Sequence, residues 1–187
     1  MLLALFLACA GAADDSAGHA DVPDPSTTWY FGTNDGQTPD GSYVAPTEEE
    51  LFIRALDPTA STVSENAWTV DASTQAVTSF ALVHDVDVAT ETFSSTFVTD
   101  DGTLLVEGAY DAGDDWAWTA WHSTSTYQDG QYAGMRVESV DHVEDSGQAI
   151  AEKVVIDASG TETYDIVEVL TPTDQAAFEE RLAELGG

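Results

Sequence analysis

Nine β-favouring runs follow one another between Leu51 and Leu170 with only short turn-rich stretches between them. That spacing constrains the fold more than any other feature of this 187-residue chain. The runs are Leu51–Leu56, Thr62–Val70, Val77–Val88, Thr92–Val98, Thr103–Tyr110, Trp116–Tyr127, Tyr132–Val143, Ala149–Ile156 and Thr163–Leu170. Turn formers separate them: Asp57-Pro58, Asp71-Ala72-Ser73, Asp100-Asp101-Gly102, Ala112-Gly113-Asp114, Asp129-Gly130, Ser146-Gly147 and Ser159-Gly160. Connections this short cannot hold the crossover helix that parallel strands require, so neighbours in the chain should pair antiparallel. Asp129-Gly130 is the strongest hairpin signal, because that dipeptide tolerates the positive φ of a type I′ turn.

One helix is expected, at the C-terminus. Pro172 opens TPTDQAAFEERLAELGG, Thr171 or Thr173 can cap it, and Gly186-Gly187 ends it. Ala177, Phe178, Leu182 and Leu185 form an apolar stripe that can lie against a sheet. About nine strands and one helix point to an all-β fold, an antiparallel meander closed into a barrel or strongly curved sheet. Closure removes the exposed edges that so many strands would leave. A two-sheet β-sandwich is the alternative. The arrangement is similar to the lipocalin-like barrels, in which an up-and-down meander is sealed by a C-terminal helix. The likeness is architectural: no G-x-W signature lies near the first strand, where Trp29 precedes Gly32.

The chain carries 35 Asp and Glu against 4 Lys and Arg, a net charge of -31, and its cations are Arg54, Arg136, Lys153 and Arg181. Such a surface repels phosphate backbones, so nucleic acid is not an expected partner. It suits solution at high ionic strength, where salt screens self-repulsion, and reads as a halophilic-type surface rather than a dedicated cation site. A 43% hydrophobic and 10% aromatic composition is enough for one core in a single domain.

The N-terminus MLLALFLACAGAADDS begins with an apolar run from Leu2 to Ala8, too short to span a bilayer. It ends at Phe6-Leu7-Ala8-Cys9, which resembles the lipobox of bacterial lipoproteins. The resemblance implies cleavage after Ala8 and lipidation of Cys9, hence an exported protein anchored to an envelope membrane. Ala8-Cys9-Ala10 or Ala10-Gly11-Ala12 can instead serve as an A-x-A site and release a soluble secreted protein. The expected organisation is a signal segment over 1–12, a flexible acidic tether over 13–28 and one domain over 29–187.

Three tryptophans crowd the start of Trp116–Tyr127. Strict alternation puts Trp116, Trp118, His122 and Thr124 on one face and Trp121 on the other. The expectation is that Trp116 and Trp118 point into the lumen and Trp121 packs outside under the helix, with the reverse assignment open. Core packing is the ordinary role for such residues. If the lumen is open, Trp116, Trp118, His122 and Thr124 are the candidate ligand-binding residues, a mostly apolar lining with a few polar groups. His84 shares a face with Phe80, Leu82 and Val86, and His142 with Arg136, Glu138 and Val140. These histidines have no metal-site spacing, and no calcium loop, nucleophile elbow or phosphate loop is present, so no metal, cofactor or catalytic residue is expected. Two functions remain: an envelope barrel that binds a small apolar or amphipathic ligand, and a structural or interaction lipoprotein with a plugged core. An enzyme ranks third.

Overall fold

A computed structural model describes residues 25–113 and 117–185. Ten strands run in chain order: β1 (Ser26–Gln37), β2 (Glu48–Asp57), β3 (Thr62–Val70), β4 (Val77–Asp87), β5 (Thr92–Thr99), β6 (Gly102–Ala112), β7 (Trp118–Tyr127), β8 (Arg136–Val143), β9 (Ala149–Ile156) and β10 (Glu162–Thr173), followed by α1 (Gln175–Glu184). Each strand pairs antiparallel with the next, and β10 pairs with β1, so the meander closes into a barrel. The strand beyond the expected nine is β1. It begins inside the stretch read as tether and pairs with β2 from Ser26 to Asn34 and with β10 from Trp29 to Gln37. Its glycines at 32 and 36 hid its strand character.

Two local expectations are corrected. Asp129-Gly130 is not a two-residue hairpin. The Tyr127 N–H donates to the Met135 carbonyl at 3.0 Å, and residues 128–135 form a longer loop. The Asp129 carboxylate reaches the β5–β6 turn, accepting from the Thr103 N–H at 2.7 Å and the Thr103 hydroxyl at 2.9 Å. Gly130 is required there, because its φ is +78° and a Cβ would collide with the Asp101 carbonyl. The helix cap is Asp174, not a threonine: its carboxylate accepts from the Ala177 N–H at 2.9 Å. Pro172 belongs to β10, beyond that strand's last β9 pair (Leu170 with Ala149), a position where a missing N–H breaks no ladder on that side.

The stripe of α1 is as expected, with Phe178 its one fully buried residue. Phe178 stacks on Phe31 (centroids 6.4 Å) and meets Trp68 edge-on (5.9 Å). The ladder aligns Phe31, Leu51 and Trp68 across β1, β2 and β3, so the helix covers an apolar patch on the outside of the barrel. Arg181 fastens it, with Nε and Nη2 donating to the two oxygens of Glu49 at 2.7 and 2.6 Å.

Candidate functional site

Where the Trp-rich strand points is decided by one extra residue. Asp111 of β6 opposes Ala120, and Ala112 opposes Trp118, which leaves Thr119 unmatched in a β-bulge. A bulge shifts the alternation by one. Trp118 and Trp121 therefore both face inward and are buried, while His122 and Thr124 face outward and are exposed. The expected shared face of Trp118, His122 and Thr124 is corrected, as is an outward Trp121 under the helix. His122 instead lines an outer groove with Ala109, Ala120 and Val140. Trp116 and Cys9 lie outside the described residues.

Inside, Trp118 is held between Tyr110, stacked at 4.4 Å, and Phe93 at 4.9 Å, with Trp121 at 6.1 Å. Gly108 makes room for Phe93, since a Cβ there would meet its ring. The Arg54 guanidinium lies 4.0 Å over the Trp121 ring, a cation–π contact in a largely desolvated place.

Arg54 also leads into a buried polar network that the sequence reading missed. Its Nε and Nη2 both donate to one oxygen of Glu65, at 2.9 and 2.6 Å. The other Glu65 oxygen lies 3.5 Å from His84 Nε2, and His84 Nδ1 is 3.1 Å from the Ser95 hydroxyl. Burial alone would raise the Glu65 pKa, but Arg54 and His84 outweigh it and hold the carboxyl down at about 2. Also inside the barrel, Lys153 of β9 pairs with Glu168 of β10 at 2.8 Å. Burial, together with the neighbouring Glu168, pushes Glu50 far above the ordinary carboxyl range, so it keeps its proton and donates it to Glu168. Asp141 accepts from the Ser139 hydroxyl at 2.7 Å, and burial raises its pKa to about 6.

Two of the chain's four cations are thus spent inside the barrel, each beside a carboxylate that would otherwise be stranded. One mouth of the barrel keeps a cavity of about 220 Å³, lined by Tyr30, Leu56, Trp118 and Val143 with Arg54 at its edge. Among the described residues no group of three or more His, Cys, Asp or Glu side chains is placed to hold a metal ion.

The chain is defined as an antiparallel up-and-down barrel of ten strands with a C-terminal helix packed on its outer wall. No family model matches the sequence, and no curated protein matches it either.

Proposed function

We propose that this is a structural or interaction lipoprotein of the cell envelope, a filled barrel held to a membrane by Cys9 and an acidic tether. One observation carries the reading: the lumen is occupied by the protein's own side chains. The Phe93–Trp118–Tyr110 stack takes up one part, the Arg54–Glu65–His84 and Lys153–Glu168–Glu50 groups lie beside it, and a cavity of about 220 Å³ is left at one mouth. A carrier would need that space for its cargo. The barrel wall itself is water-facing. Glu107, Glu138 and Glu152 are exposed in mid-strand, where a bilayer-spanning wall carries apolar side chains.

A small apolar or amphipathic ligand at the mouth is the second reading, favoured by the 220 Å³ cavity beside Trp118. That volume is below the roughly 300–1,000 Å³ of ordinary ligand sites. Native mass spectrometry of the full chain, expressed in a bacterial host and extracted in detergent, tests both readings together. The expected species lacks residues 1–8, carries acyl chains on Cys9 and has no further small molecule. An unacylated chain supports secretion as a soluble protein. A stoichiometric adduct that Trp118→Ala abolishes supports the mouth ligand.

A further inference from the structure

The barrel is not evenly laced. β4 and β5 share only three ladder pairs, Asp85 with Ser94, Val86 with Phe93 and Asp87 with Thr92. Beyond these, no ladder pair joins residues 77–84 to 95–99, so the wall splits from the hairpin turn outward. On the β4 side, Val77, Thr78, Ser79, Phe80 and Ala81 are exposed on both faces of the strand. Five of the ten large apolar side chains exposed among the described residues belong to this hairpin: Val77, Phe80, Val83, Val88 and Val98, the last 79% exposed.

Charge is missing from the same place. Residues 72–84 carry no Asp, Glu, Lys or Arg, and neither does any residue of β5, in a chain of net charge -31. Strand β7 is equally uncharged, but it is paired on both sides. Proteins ordinarily protect a free strand edge with charge, proline or a covering element. Here the edge is left apolar, neutral and bare. Both ends of the strip are acidic, with Asp71, Asp100 and Asp101 at one end and Asp85, Asp87 and Glu91 at the other.

We propose that the free edge of β4, residues 77–83, docks an extended segment of a partner protein by strand addition. The segment has an uncharged core rich in β-branched and aromatic residues, and basic residues on both flanks. Backbone N–H and C=O groups of the edge supply the ladder, and the exposed valines and Phe80 supply the alternating side-chain contacts. The acidic ends select the flanks and oppose the other occupants. A second copy would bring its own -31 to the same acids, and this chain's residues 13–28 are themselves acidic. The inference gives the proposed interaction lipoprotein its contact surface, and so rests on that reading.

Fluorescence polarisation with the labelled synthetic peptide KTVTYTVTK tests it on the full chain. Saturable binding is expected, with new hydrogen-exchange protection confined to residues 77–83. Val83→Lys should weaken binding by roughly tenfold or more, because it sets a like charge against the peptide's ends. Val140→Lys is the matched control: Val140 is 60% exposed on β8, against 58% for Val83, and its substitution should leave binding unchanged. A Glu-flanked version, ETVTYTVTE, should not bind. Equal loss in the two lysine variants, or equal binding of the two peptides, would overturn the proposal. So would a dimer, seen by sedimentation, that Val83→Lys dissociates, because the occupant would then be a second copy. A stoichiometric ligand in the mass spectrum sinks the filled-scaffold reading without touching this result. A failed peptide with an empty spectrum sinks only the strand-addition surface.

Discussion

Burial works against the charge of Asp141, although the Ser139 hydroxyl, Lys153 and Arg54 favour it. The residue is buried in the lumen, accepts from the Ser139 hydroxyl, and its pKa is pushed up by burial to about 6. A carboxyl that binds its proton more tightly folded than unfolded adds stability at low pH. That stability is present below the ordinary value near 3.8 and lost as the pH rises through about 6. The shift of about two units corresponds to as much as about 3 kcal/mol. Glu65 behaves in the opposite sense, and its contribution is lost only as the pH falls from 4.5 towards about 2. Urea unfolding at pH 4, 5, 6 and 7 should therefore show Asp141→Asn gaining on the native chain across that series. A stability difference that does not change with pH would mean Asp141 ionises freely in the folded state.

At the scale of elements, the helix acts as a patch over the wall. Phe178 is 1% exposed against Phe31 and Trp68, so Phe178→Ala should cost about 3–5 kcal/mol of unfolding free energy. A loss under 1 kcal/mol in denaturant titrations would show that the barrel stands without its cover. Most strands were legible because turn residues and short spacing fix an antiparallel meander before any packing is considered. The Trp-rich strand misled for a physical reason. Thr119 carries no local mark of a bulge, yet that one unmatched residue turns Trp121 inward and His122 and Thr124 outward. Strand β2 hid the buried network in another way. Glu50, Phe52, Arg54 and Leu56 alternate with Leu51, Ile53 and Ala55, so both faces look partly apolar. The folded chain shows which face is the outside: Phe52 joins the interior cluster, while α1 covers Phe31, the ladder partner of Leu51.

For the molecule as a whole, charge is the dominant variable. Thirty-five acids against four cations repel one another across the surface, and two of those cations are committed to the interior. Added sodium chloride should raise the thermal midpoint as the screening length falls from about 30 Å at 0.01 M to about 3 Å at 1 M. The half-exposed Arg181–Glu49 pair weakens over the same range, but it is one attraction against many repulsions. A midpoint that is flat or falls with salt would show the acids to be too widely spaced to oppose folding.

The join between β1 and β10 sets when this molecule can exist at all. Every other ladder is made between consecutive strands and can form as soon as its hairpin has been synthesised. The last ladder unites Trp29–Gln37 with Asp165–Thr173, close to the two ends of the described chain. A ribosome must therefore deliver β10 before the wall can shut. Until then the growing sheet has two free margins, and a transcript shortened by even its final strand would encode a protein that never closes.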